Sequence, residues 1–132
     1  MNGAVVDTDV ISFLFKDHPL ASQYDAALVG RTLLISFMTL AELDRWAKQS
    51  QWGEARRSRL EKYLEPFVIL PFTRELCRQW AEVTVTAQPG FRIECADAWI
   101  AATALLYDIP LVTHNRRDYL GVPGLQVISR GP

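Results

Sequence analysis

Short, wholly apolar runs alternate along this chain with longer stretches of helical periodicity. The apolar runs lie at residues 4–6, 33–35, 68–70 and 111–112, with 126–128 as a fifth candidate. Runs without polar alternation are typical of parallel strands that are buried on both faces. The segments between them must then supply helices to both sides of one sheet. The pattern therefore predicts an α/β fold, a three-layer α/β/α sandwich with a central parallel sheet.

Capping residues mark where several of the helices should begin. Thr8 or Asp9 is placed to cap the first helix, and Ser36 follows the second strand at a position typical of an N-cap. A further helix is expected over 19–29, with Gly30 ending it. The remaining helices are predicted at 54–64, from a cap at Thr73 toward residue 88, and at 95–107.

Composition and charge narrow the class of protein. The 132 residues are 49% hydrophobic and 22% charged, which is typical of a single soluble globular domain, here 1–132. The net charge is −1, so any contact with nucleic acid has to come from a local basic patch. The first residues lack the basic segment of a signal peptide, and the longest apolar run, 99–107, is too short to cross a bilayer. We therefore expect a cytoplasmic protein with no membrane partner.

Acidic side chains follow the first two predicted strands, at the edge of the sheet where α/β proteins gather their ligands. Asp7 and Asp9 come directly after the first strand. Either of them could instead serve only as a helix cap. Glu42 lies about two helical turns after the second strand, where a solvated surface glutamate is the alternative.

A third acidic position, Asp97, shares a helical face with three apolar residues. These are Ile100, Ala101 and Ala104. That face should pack on the sheet, and a carboxylate there is costly unless it is paired, hydrogen-bonded or bound to metal. A role at the positive end of the helix dipole is the alternative. We favour a functional role for Asp97.

The fourth strand is followed by Thr113, Asn115 and Asp118, each of which could face the same edge or simply form a charged turn. Carboxylates gathered there would repel one another and raise each other's pKa. A hard divalent cation, Mg²⁺ or Mn²⁺, relieves that repulsion and stabilises charge on a phosphate. The acidic positions therefore indicate phosphodiester hydrolysis.

Basic and aromatic residues suggest further contacts. Arg56, Arg57 and Arg59 concentrate positive charge on one predicted helix, either as a solvated face or as a grip on RNA backbone. Trp46 and Trp52 lie on predominantly polar segments, where they either complete the core or form a surface for a partner.

At these residues the sequence resembles the PIN-domain family, and within it the VapC-type toxins of toxin–antitoxin systems. The resemblance covers nearly the whole chain. It is carried by V-D-T-D at 6–9, S-F-M-T-L-A-E at 36–42, A-D-A-W-I-A-A at 96–102 and L-V-T-H-N-R-R-D-Y at 111–119.

The resemblance implies a Mg²⁺- or Mn²⁺-dependent endoribonuclease that forms a homodimer and is silenced by a cognate antitoxin in a toxin–antitoxin hetero-oligomer. By position, Asp7, Glu42 and Asp97 are the metal-binding acids, and Asp9 supports the first of them. Asn115 stands where many relatives have Asp, which leaves Asp118 as the other candidate for a fourth acid.

A further departure is Tyr119, which replaces the more usual Phe.

Two other classes of function stay open. One is a catalytically silent PIN-like module that binds RNA or protein, and the other is a metal-dependent DNA nuclease or phosphatase.

Overall fold

The computed structural model describes residues 2–132, which form one parallel sheet with helices on both faces. The strands are β1 (Gly3–Val6), β2 (Thr32–Ser36), β3 (Val68–Leu70), β4 (Leu111–Val112) and β5 (Val127–Ile128). The α-helices are α1 (Thr8–Phe15), α2 (Asp25–Leu28), α3 (Phe37–Gln49), α4 (Glu54–Leu64), α5 (Arg74–Thr86) and α6 (Cys95–Tyr107). Short 3₁₀ helices lie at Ala21–Tyr24 and Arg116–Tyr119.

The strand order is β3-β2-β1-β4-β5, and each neighbouring pair is parallel. In the register of the sheet, Val5 pairs with Leu34 on one side and with Leu111 on the other. The chain moves outward from β1 to β3 and then returns to place β4 on the opposite side of β1. The carboxyl ends of β1 and β4 therefore flank the topological switch point, where open α/β sheets bind their ligands.

Side chains of the central strand alternate between two separate cores. Val5 packs in the core that α5 and α6 cover, whereas Ala4 and Val6 pack in the core that α1, α3 and α4 cover. Each of the three side chains is fully buried. This alternation confirms the predicted three-layer sandwich, since a strand places successive side chains on opposite faces.

The helix starts confirm part of the capping analysis and correct the rest. Ser36 and Thr73 cap α3 and α5 through their side chains, as predicted. The prediction of Thr8 or Asp9 as the cap of α1 was wrong, because Asp7 holds that position and its side chain accepts from the Thr8 N–H.

The helix predicted over 19–29 is confirmed only in part, over residues 21–28, and it is not a single α-helix. This segment forms a 3₁₀ turn followed by one short α-helical turn. The His18 ring nitrogen accepts a hydrogen bond from the Leu20 N–H. The backbone bonds that follow join the N–H of residue i+3 to the carbonyl oxygen of residue i, as in a 3₁₀ helix. Tyr24, fully buried, anchors the turn to the body of the protein. Among residues 2–132, no helix has the length and apolar character to cross a membrane.

Candidate active site

The acidic residues singled out in the sequence line one cavity of about 150 Å³, above the carboxyl ends of β1 and β4. The residues around it are Asp7, Thr8, Asp9, Glu42, Asp97, Asn115 and Asp118. They come from the start of α1, from α3, from α6 and from the segment after β4, which all meet at the switch point. The structure therefore brings together the predicted carboxylates and Asn115.

Asp7 is the most enclosed of these acids, with 6% of its surface exposed. Its Oδ1 accepts the Thr8 N–H at 2.8 Å, and its Oδ2 accepts the hydroxyls of Thr113 at 2.8 Å and Tyr119 at 2.9 Å. Burial, followed by the charge of Asp9, raises the pKa of Asp7 to about 7 despite these bonds. The three hydrogen bonds thus fix the orientation of the Asp7 carboxylate, but they do not compensate for the cost of placing its negative charge in this buried position.

Thr113, one of the residues that follow the fourth strand, contacts Asp7 directly. It is fully buried at the end of β4, and its hydroxyl oxygen accepts the Asn115 N–H at 3.1 Å while donating to Asp7. The loop that carries Asn115 is therefore tied to the Asp7 carboxylate through one side chain.

Asp97 lies in the first turn of α6 and is half-buried, while Ile100, Ala101 and Ala104 on its helical face are fully buried. Burial, and then the charges of Asp7 and Asp118, raise the pKa of Asp97 to about 7. The structure thus places Asp97 at the rim of the packed stripe, where its carboxylate reaches the cavity.

Tyr119 connects the two acids that are most strongly perturbed. Its hydroxyl lies 2.9 Å from Asp7 Oδ2 and 3.3 Å from Asp97 Oδ1. Burial and both carboxylates push the pKa of Tyr119 far upward, so the phenol stays protonated and remains a donor. Sequence reasoning noted this position only as a departure from the usual Phe and did not predict the bridge.

Asp9 is held by backbone donors from two parts of the chain. Its Oδ1 accepts the Val10 N–H at 2.7 Å, and its Oδ2 accepts the His114 N–H at 3.1 Å. Burial raises the pKa of Asp9 to about 6, and the charges of Asp118 and Asp97 add to this rise. Asp9 therefore lines the cavity itself, and its charge acts on Asp7 by repulsion, since no hydrogen bond joins the two side chains among the described residues.

Glu42 reaches the cavity from α3 and is held by a hydroxyl that sequence reasoning missed. The Thr8 side chain donates to Glu42 Oε1 at 2.7 Å, and Thr8 Oγ1 lies 3.0 Å from Thr39 Oγ1. A threonine beside Asp7 was considered only as a helix cap. A tertiary contact between residues 34 positions apart leaves no local signal in the sequence.

The donor set suits a hydrated divalent ion better than a tightly chelated one. Among residues 2–132, no three His, Cys, Asp or Glu side chains converge closely enough to hold a metal by themselves. Mg²⁺ commonly keeps several waters and takes only one or two carboxylates directly. The raised pKa values of Asp7, Asp9 and Asp97 show negative charge that a cation in the cavity would neutralise. The residues therefore fit hydrated Mg²⁺ or Mn²⁺.

The α4 arginines lie outside this cavity and point in two directions. The Arg56 guanidinium lies 4.2 Å from the centre of the Trp52 ring, and that of Arg59 lies 5.7 Å from the centre of Phe15. Arg57 instead lines a groove between α3 and α4. The structure thus separates Arg57 from the other two arginines.

Comparisons with known proteins agree with this architecture. A family model described as PIN domain matches residues 4–122. Ribonuclease VapC1 of Haemophilus influenzae (strain R2866) is 30% identical over 125 residues, which cover 92% of this chain and 93% of that protein. Ribonuclease VapC2 of Rickettsia felis is 27% identical over 124 residues, which cover 92% of each chain.

Solved structures of toxin–antitoxin complexes show the same fold. A chain of VapBC2 from Rickettsia felis, bound to a DNA fragment from its promoter, superposes with a TM-score of 0.82 at 25% identity. That match covers 96% of this chain and 98% of the other. A chain of VapBC-1 from nontypeable Haemophilus influenzae gives a TM-score of 0.80 at 29% identity, over 96% and 97% of the two chains.

Proposed function

From the premise that this chain belongs to the PIN-domain family, we propose that it is a ribonuclease toxin. It hydrolyses phosphodiester bonds within RNA at the acidic cavity, and a cognate antitoxin silences it. The relatives named Ribonuclease VapC, which align over nine-tenths of the chain, support this assignment. The observation that carries it is the gathering of five carboxylates around one cavity at the switch point of the sheet.

The proposed cofactor is Mg²⁺, with Mn²⁺ as a possible substitute. Asp7, Glu42 and Asp97 would hold it, directly or through water. When bound, such an ion supplies positive charge to the phosphate and makes water acidic enough to react near neutral pH. A site that only bound phosphate would gain nothing from clustered carboxylates, and this argues against the silent-module alternative.

The protein's own side chains prepare the cavity for this chemistry. Thr113 and Tyr119 fix the orientation of Asp7 by donating to one of its oxygens. Asn115 adds an amide donor among the acids, suited to a phosphate oxygen that the carboxylates repel. Asp118, whose charge raises the pKa of Asp97, is the proposed fourth acid.

A cleavage assay on matched polymers tests the proposal. Single-stranded RNA and DNA of one sequence are incubated with the protein in EDTA, in Mg²⁺ and in Mn²⁺. We expect RNA cleavage only with a metal, and a loss of at least about 100-fold for Asp97→Asn or Glu42→Gln. Asp44→Asn, an exposed aspartate on the same helix as Glu42, is the matched control and should keep full activity. Cleavage confined to DNA, or full activity in EDTA, would contradict the assignment.

The proposed protein partners are a second copy of this chain and the antitoxin. Structures of VapBC toxin–antitoxin complexes are among its structural neighbours, which supports a hetero-oligomer of the same kind. Light scattering should detect a homodimer of the isolated protein, and addition of the cognate antitoxin should produce a larger complex that no longer cleaves RNA. A complex that still cleaves at the free enzyme's rate would contradict the silencing model.

A further inference from the structure

A second depression of about 370 Å³ lies beside the acidic cavity and shares two lining residues with it. It is lined by Thr8, Asp9, Ser12, Lys16 and Trp46. Thr8 and Asp9 belong to both the cavity and this depression, which we call the α1 groove. A polymer held at the acidic cavity can therefore continue along the face of α1 without leaving the protein surface.

The cavity itself is too small for the nucleosides on either side of a cleaved phosphate. Its volume of about 150 Å³ is below the roughly 300–1,000 Å³ of clefts that enclose whole small-molecule ligands. It accommodates a phosphate group and an ion. The adjoining nucleotides must then lie in surface grooves, and the α1 groove is adjacent to the cavity through Thr8 and Asp9.

The far end of the α1 groove carries a cation beside an aromatic ring. Lys16 is exposed at the end of α1, and its Nζ lies 5.8 Å from the centre of the Trp46 ring. Trp46 is half-buried, and Trp52 and Phe15 contact it edge-on at centroid distances of 4.6 and 6.4 Å. These contacts hold the indole in place, so it offers a preformed surface.

Positive charge continues beyond the tryptophan. Arg56 covers Trp52, and Arg59 covers Phe15, both neighbours of Trp46. Sites for single-stranded nucleic acid commonly combine aromatic rings with a row of basic side chains, because bases stack on the rings and phosphates pair with the cations.

We propose that the α1 groove binds the nucleotide next to the cleaved phosphate of single-stranded RNA. Lys16, whose ammonium lies over the Trp46 ring in the free protein, turns toward the phosphate, and the base takes its place on the ring. The strand then runs toward Arg56 and Arg59. The inference rests on the proposed ribonuclease function and adds a substrate-positioning site to it. Arg57, in the groove between α3 and α4, takes no part.

Steady-state kinetics on a labelled single-stranded RNA test the site. Lys16→Ala should raise KM several-fold, leave kcat within about twofold, and reduce the slope of log affinity against log salt by about 0.7, the value for one phosphate contact on a single strand. Trp46→Leu should raise KM about tenfold, and Trp46→Phe, which keeps a ring, should recover part of the loss. Lys48→Ala, an exposed lysine in the groove between α3 and α4, is the matched control.

The outcomes separate this proposal from the proposed function. If wild-type protein cleaves RNA and the Lys16 and Trp46 variants keep its KM and salt slope, the groove assignment is wrong while the ribonuclease stands. If these variants keep KM for RNA but escape inhibition by the cognate antitoxin, the groove is an antitoxin site and the proposal is overturned. If the wild type cleaves no RNA, the function fails. Fluorescence anisotropy with labelled (rU)₁₀ then decides the groove, since equal affinity of wild type and Lys16→Ala overturns it.

Discussion

Replacing Asp97 with asparagine should stabilise the metal-free protein above neutral pH. Asp97 receives one long hydrogen bond, 3.3 Å from the Tyr119 hydroxyl, and faces the charges of Asp7 and Asp118. Asparagine has nearly the same shape and carries no charge. It therefore removes the repulsion at the cost of one weak contact.

The magnitude follows from the pKa of Asp97. A rise from 3.8 to about 7 means that ionising this carboxyl in the folded protein costs about 4 kcal/mol more than in the unfolded chain. Because Asp97 is only half-buried and solvent screens its charge, we expect about 1–2 kcal/mol of it to be recovered. For a chain of this length, that corresponds to a rise in Tm of roughly 4–8 °C.

The sign of the pH dependence provides a second check. Between about pH 4 and pH 7 the folded Asp97 holds a proton that the unfolded chain has released, so wild-type stability falls as the pH rises through this window. The advantage of Asp97→Asn should therefore be full above about pH 8 and become small near pH 4, where the folded wild-type carboxyl is protonated and the unfolded one is about half protonated.

Thermal melts in EDTA across this pH range measure the effect. Asp44→Asn on the exposed face of α3 serves as control and should stay within about 0.5 kcal/mol of wild type. If Asp97→Asn melts below wild type at about pH 8, or keeps the same advantage at pH 4, then the charge of Asp97 is not the source of strain and the electrostatic reasoning fails.

Other variants address the bridge, the packing and the metal. Tyr119→Phe removes a donor to Asp7, so the pKa of Asp7 rises further and the acidic limb of the pH–rate profile should move to higher pH; an unmoved limb would show that the bridge has no effect on ionisation. In Gly121→Ala the new Cβ would lie 2.3 Å from Phe91 Cβ, so urea melts should show a loss of about 1–3 kcal/mol, and a loss below about 0.5 kcal/mol would contradict that packing. Mg²⁺ at about 100 times its Kd should stabilise the wild type by about 2.7 kcal/mol and Asp97→Asn much less, whereas equal stabilisation would remove Asp97 from the metal site.

The central strands were predictable because the sheet buries them on both faces. The apolar runs at 4–6 and 111–112 had no polar alternation, and the structure places buried strands there. Asp97 was predictable for a related reason, since its helical face was otherwise apolar and had to pack on the sheet. Local periodicity therefore predicted the three layers of the sandwich and the position of Asp97 on the side of its helix that faces the sheet.

The missing parts depend on contacts between distant residues. Tyr119 donates to Asp7 across 112 positions, and Thr8 donates to Glu42 across 34. The segment 19–29 also has a distant partner, since the Arg130 N–H donates to the Tyr24 hydroxyl. Spacing along the sequence does not encode such partners.

The position of β1 in the middle of the sheet has a consequence for synthesis in the cell. β1 is synthesised before its two neighbours in the sheet, and one of them, β4, comes about 105 residues later in the chain. Tyr119, which donates to Asp7, follows Asp7 by 112 residues. At about 5–20 residues per second, a ribosome needs roughly 6–20 s to make that intervening chain. During this time the nascent chain has neither the switch point nor the loop that carries Asn115 and Asp118. A nascent chain that lacks these parts has no assembled acidic cavity. On the proposed function, it could therefore cleave no RNA until the segment that carries Asn115 and Asp118 has been made and has folded against β1.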